Sequence, residues 1–112
     1  NKAYSLIETE NDVKSISQKA SLIHITANVF QQKQVYDSAL AKYQEAIALF
    51  TKANDKNRLF FSYYNISGIY CLLNDTANAL YYANETMKIA EAGKDENSMM
   101  RAHIAMADVY AV

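Results

Sequence analysis

Proline is absent from this chain, and glycine occurs only twice, at Gly68 and Gly93. Sandwiches and barrels reverse direction many times, and their tight turns draw heavily on these two residues. A chain of 112 residues without that supply is confined to long helices joined by short links. The expected fold class is therefore all-α.

At this length the chain suits one domain. It is 51% hydrophobic and 21% charged, which excludes collagen-like, low-complexity and disordered readings. No apolar run approaches the roughly 18 residues of a membrane span. No basic segment precedes an apolar stretch as in a signal peptide. The first residue is not Met, and the segment is expected to come from a longer protein. The net charge of −1 and pI near 6.1 lack the basic field that nucleic acid or an anionic membrane surface requires. Neither is expected as a partner. The single cysteine, Cys71, cannot close an intrachain disulfide. The compartment stays open: cytoplasmic, or periplasmic if the parent is a membrane sensor.

Polar clusters punctuate segments with apolar residues three and four apart. They predict six helices, near residues 1–10, 15–33, 36–53, 56–73, 76–92 and 96–111. Ser15 with Gln18 reads as a capping box, and Asp55, Asp75 and Asp95 as N-caps. Gly93 reads as the residue that ends the fifth helix.

Ser15, Asp55 and Asp95 stand forty residues apart. At the same shift Phe30, Tyr70 and Tyr110 share a phase, as do the small residues Ala27, Ser67 and Ala107. Ala39 matches Ala79, and Leu40 matches Leu80. Agreement is by class rather than identity, which is what a packing repeat must keep. Paired antiparallel helices approach closely only where the crossing residues are small, and such pairs bury their apolar faces by stacking.

This arrangement resembles the tetratricopeptide repeat. There, a small residue and an aromatic three positions on precede Ala-x-x-x-aromatic-x-x-Ala in a second helix. Ala27 and Phe30, then Ala39, Tyr43 and Ala46, fit that pattern. Ser67 and Tyr70, then Ala79, begin a second copy that departs at Ala83 and Thr86. Ala107 and Tyr110 open a third. The family's common period is about 34 residues; here it is forty, and Thr51 and Glu91 replace the usual closing proline. The resemblance implies a right-handed α-solenoid of about two and a half helix pairs. Its repeats would run 15–54 and 55–94, with partial repeats at 1–14 and 95–112. It further implies a non-enzymatic module that binds a protein or peptide, as the sensing or scaffolding part of a larger bacterial regulatory protein.

In that geometry the inner faces of the first helices line a groove. The implied groove residues are His24, Asn28, Gln31, Phe61, Tyr64, Asn65, Gly68, Arg101 and Asp108, with Tyr64 and Asn65 at the centre and open to solvent. Some relatives clamp a peptide's terminal carboxylates. The matching positions here are His24, Asn28, Asn65, Arg101 and Ala105, the last of which lacks the required cation.

Catalysis finds no support. There is no Gly-rich phosphate loop, no Gly-x-Ser-x-Gly elbow and no metal-ligand spacing. No cofactor and no metal are expected. His103 shares its phase with Ile23 and Tyr63, a packing position. Cys71 reads as a small apolar residue with no activating base or cation. Asp95 and Glu96 suit a helix start. The Asn-x-Ser/Thr triplets at Asn65, Asn74 and Asn84 read as chance. Two rival functions remain: self-association, as a homodimer through exposed ends of the stack, and an enzyme fragment.

Overall fold

The computed structural model describes the backbone of residues 2–111 and the side chains of residues 13–110. Five helices follow in order: α1 (Lys2–Gln32), α2 (Tyr36–Lys52), α3 (Lys56–Leu72), α4 (Thr76–Gly93) and α5 (Glu96–Ala111). The described residues contain no strand. The chain forms two compact units, Asn1–Arg58 and Leu59–Val112, divided within α3.

Helices α2 to α5 start and stop within a residue or two of the expected limits. The N-terminal part does not follow expectation. Residues 1–10 and 15–33 were expected as separate helices, but α1 runs unbroken through both. Ser15 is exposed in its interior and caps nothing there. The reason is that a polar cluster is not a helix breaker. Asn and Asp each cost at most about 0.7 kcal/mol relative to Ala inside a helix. What ends the helices is a residue turned left-handed, at Gln34, Asn54, Asn74 and Lys94, and no such residue stands between 10 and 15.

The turns repeat a single device. Gln34, Asn54, Asn74 and Lys94 all have positive φ, between 55° and 64°, at intervals of twenty residues. In the first three turns the same two backbone bonds close the helix end. Val35 N–H donates to Phe30 O (2.9 Å) and Gln34 N–H to Gln31 O (3.0 Å). Asp55 and Asn54 donate likewise to Phe50 and Thr51, and Asp75 and Asn74 to Tyr70 and Cys71. This is the Schellman closure, which satisfies carbonyls that the helix leaves open. Gly93 was expected in that left-handed role, but it remains the last helical residue of α4, and Lys94 takes φ 55°. The position of the next cap decides this. In each turn the left-handed residue directly precedes the N-cap, and Asp95 opens α5.

The caps themselves are unequal. Asp75 accepts the Asn78 N–H (3.2 Å), Asp55 accepts the Arg58 N–H (3.2 Å), and Asp95 accepts the Ser98 hydroxyl (2.8 Å). Val35, at the start of α2, offers no side-chain cap.

In the first unit α2 packs along α1. Its buried residues are Ala20, Ala27, Ala39, Tyr43, Ala46 and Phe50. Alanines at the crossing let the helices approach, and the two rings fill what remains. Ser17 donates to Asp55 Oδ2 (2.9 Å) and accepts from Arg58 (3.1 Å), which ties α1 to the start of α3.

In the second unit Ser67 meets Ala79 at the α3–α4 crossing, and the buried Ser67 hydroxyl donates to the Ala79 carbonyl (3.0 Å). Ala79, Ala83, Ala105 and Val109 form one core cluster, and Phe60, Ala90 and Ala102 form another. Thr86 fills the small-residue place of α4, fully buried, its hydroxyl bonded back to Tyr82 O (2.7 Å). His103 was expected at a packing position and is exposed instead, as is Ala107. The phase they share faces the next helix on α1 and α3, whereas α5 has no following helix among the described residues.

Candidate functional site

His24, Asn28 and Gln31 lie seven residues apart or less along α1, all half-buried and all turned towards α2. The hydroxyl of the fully buried Tyr43 reaches Asn28 Oδ1 and, at 2.7 Å, Gln31 Oε1. Both contacts run from the hydroxyl to an amide oxygen, so the single hydroxyl proton is shared between the two acceptors. His24 stands edge-on to Tyr43 at 5.2 Å and to Phe50 at 6.3 Å. Burial holds its imidazole pKa below the ordinary value, favouring the neutral ring. A neutral His24 is a poor anchor for a carboxylate. Ile25, on the adjoining face, is exposed with Leu22 and Val29.

Tyr43 is the residue that sequence reasoning missed here. A signal for it existed: a tyrosine at a position reserved for a buried ring needs a partner for its hydroxyl. The amides of the facing helix were the available partners.

In the second unit α3 and α5 bring the remaining six residues together. Phe61 is 44% exposed, and the Arg101 guanidinium lies over its ring, 5.8 Å from the centroid. Tyr64, expected to face solvent, is half-buried. It packs on the Ala79, Ala83, Ala105 and Val109 cluster and stacks at 6.4 Å on Phe60. Asn65 is also half-buried and already engaged within the protein. Gly68 sits mid-helix, and a side chain added there would meet nothing within 4 Å. The opening at Gly68 lies between Phe61 and Cys71, which are about three helical turns apart along α3.

Asp108 is exposed on α5 near Cys71. Burial first, then the Asp108 charge, push the Cys71 thiol pKa up, so it is held as the unreactive thiol. The face thus has an aromatic and a cation at one end, a small residue in the middle and a carboxylate at the other end. Ala105 contributes to the core beneath it rather than a charge.

Four tyrosines cluster on the α3–α4 side. Tyr82 stacks on Tyr70 (5.7 Å, 10°), leans on Tyr63 (5.8 Å) and meets Tyr81 edge-on (5.0 Å). Burial is the main cause that raises the Tyr63 and Tyr70 pKa values. These phenols therefore stay protonated and act as packing groups.

Among the described residues no group of three or more His, Cys, Asp and Glu side chains could hold a metal ion. No helix among them is long and apolar enough to cross a membrane.

The family model for the tetratricopeptide repeat matches residues 20–92, more than half of the chain. No curated protein and no solved structure matches it. Tetratricopeptide repeats are a non-catalytic fold that mediates protein–protein interaction in general. The matched span covers the Tyr43 seam, the Schellman turns after α1, α2 and α3, and the Ser67–Ala79 crossing, and the chain belongs to the tetratricopeptide repeat family.

Proposed function

We propose that the chain recognises a protein segment through the face that α3 and α5 present in the second unit. Its contact set is Phe61, Tyr64, Gly68, Arg101 and Asp108, with Asn65 as a neighbouring amide. The observation that carries this reading is Arg101 held over a half-exposed Phe61. The pair offers a rigid apolar surface beside a cation that keeps N–H donors for an acidic group. Gly68 leaves room for a partner backbone to approach closely.

His24, Asn28 and Gln31 stand outside this contact set because Tyr43 and Phe50 already engage them. A terminal-carboxylate clamp is disfavoured for the same reason, and Ala105 supplies no cation. The wider role, as the sensing or scaffolding part of a larger bacterial regulatory protein, rests on the forty-residue spacing and on the family resemblance.

A random peptide library displayed on phage, selected against this chain, supplies the test ligands. Gly68→Gln adds a side chain that blocks the face without an internal clash, and it replaces a poor helix former. Its affinity for selected peptides should fall roughly tenfold or more, with no loss of thermal stability. Phe61→Ala should weaken the same peptides. Selected peptides that bind both variants as tightly as the parent chain would place recognition elsewhere.

A further inference from the structure

Resting on the recognition face proposed above, we infer that the segment it takes is a helix with one acidic and one basic residue seven positions apart. The acid is set against Arg101 and the base against Asp108. Helical geometry puts Phe61, Asn65, Gly68 and Leu72 on one stripe of α3. Leu72 is 63% exposed, and Phe61 is exposed at the other end of the stripe. Arg101 and Asp108 stand forty residues on from Phe61 and Gly68, so they hold the same stripe of α5. This stripe is not one that a following helix covers. α4 follows α3 and crosses it at Ser67 and Ala79, yet Phe61 and Leu72 stay exposed, and a side chain at Gly68 would still meet nothing within 4 Å.

The two charges are one heptad apart, about 10.5 Å along α5. Both residues are exposed, and neither takes part in an ion pair among the described residues. Arg101 lies over the Phe61 ring, and ring stacking leaves the edge N–H groups of a guanidinium free. Asp108 lies near Cys71, the neighbour of Leu72 in sequence. Each end of the face thus joins an exposed apolar side chain to a charge, and the two charges are opposite. A wholly acidic segment would be repelled by Asp108, and a wholly basic one by Arg101. A segment with one charge of each sign meets attraction at both ends.

The middle of the face selects a helix. An extended segment needs backbone partners, whereas a helix satisfies its own backbone. Phe61, Gly68 and Leu72 have no side-chain hydrogen-bonding group, and the Asn65 amide is already engaged within the protein. Gly68 lets a second helix come close, as the small residues Ser67 and Ala79 do where α3 and α4 cross. Two helices share one rise per residue, so charges seven residues apart on the partner fall in step with Arg101 and Asp108. Either order of the two charges serves, because the segment can lie in either direction.

The test uses peptides from the phage selection that Gly68→Gln weakens. These should carry an acid and a base seven residues apart and should gain a helical circular-dichroism signal on binding. Replacing the base of such a peptide by Glu should weaken it roughly tenfold on the parent chain, and Asp108→Lys should restore the affinity. Replacing its acid by Lys should weaken it similarly, with Arg101→Glu as the restoring variant. Peptides sensitive to Gly68→Gln that bind without becoming helical overturn the bipolar helix and leave the recognition face standing. Charge exchanges that the matching variants do not rescue have the same consequence. If Gly68→Gln weakens none of the selected peptides, the recognition face falls and the bipolar helix falls with it.

Discussion

Tyr43 on α2 and Ala83 on α4 lie forty residues apart, and both are fully buried. Their surroundings differ. Tyr43 fills the α1–α2 seam with its own ring and spends its hydroxyl on Asn28 and Gln31. Ala83 contributes a methyl group, and the ring comes from the next residue back, Tyr82, set between Tyr63 and Tyr70. The comparison shows that the seam requires filled volume rather than a ring at a fixed position. It also separates two kinds of specificity. The first seam has a directional hydrogen-bonded lock, whereas the second relies on ring stacking, which tolerates small displacements.

The largest expected effect follows from the lock. Tyr43→Ala removes a fully buried ring and should cost about 3–5 kcal/mol. Tyr82→Ala removes a half-buried ring that three other tyrosines partly shield, and should cost about 1–3 kcal/mol. Tyr43→Phe keeps the volume and loses only the hydroxyl, for about 1 kcal/mol. Urea unfolding of the three variants orders them. Equal losses for Tyr43→Ala and Tyr82→Ala would erase the distinction between the two seams.

Much of this is legible in the sequence. Asp55, Asp75 and Asp95 announced three helix starts, because a short carboxylate before an apolar-periodic run has one common local use. The small residues Ala27, Ser67, Ala39 and Ala79 announced the crossings, and all four are buried. Other features were hidden for identifiable reasons. The continuity of α1 is obscured because a polar run looks the same where it forms a left-handed turn, as at Asn54 and Asn74, and where the helix continues through it. Lys94 was hidden behind Gly93, since propensity favours glycine while the following N-cap fixes which residue must turn left-handed. The exposure of His103 could not come from phase alone, because phase names a face and not what covers it. Of the candidate site, the pairing of Arg101 with Phe61 has a trace at the sequence level, as their phases differ by a single forty-residue shift. The turn of His24, Asn28 and Gln31 towards Tyr43 has none in periodicity, since a side chain between two helices can serve either the seam or the solvent.

The crossings give the next contrast. Ala39 and Ala79 occupy matching places and are both fully buried. Replacement of either by Leu overpacks the seam and should cost about 1–3 kcal/mol. The loss should be larger at Ala79, because spreading the helices there also breaks the buried bond from Ser67 to the Ala79 carbonyl. Thermal melts of Ala39→Leu, Ala79→Leu and Ala79→Leu with Ser67→Ala decide the point. If Ser67→Ala leaves the penalty at Ala79 unchanged, the hydrogen bond is not what makes the second crossing stricter.

The smallest effect concerns how the two second helices begin. α4 starts from Asp75, whose carboxylate accepts the Asn78 N–H, and α2 starts from Val35, which offers nothing. Val35 is 43% exposed, so little packing is lost if it is replaced. Val35 has φ −92° and ψ 77°, and Asp75 has φ −94° and ψ 80°. The backbone at Val35 is therefore already shaped for a cap. In Val35→Asp the new carboxylate stands three residues before the Ser38 N–H, as Asp75 does before Asn78. The variant should gain up to about 1 kcal/mol, trimmed by repulsion from Asp37 in the same turn. Asp75→Ala should lose about 1 kcal/mol. Chemical unfolding at neutral pH and again near pH 3 separates capping from packing, because a protonated carboxyl is a weaker acceptor and the Val35→Asp gain should shrink in acid. A Val35→Asp chain less stable than the parent at neutral pH would mean that the isopropyl group packs usefully at this turn. The missing cap would then be a trade between burial and hydrogen bonding rather than an unfilled place.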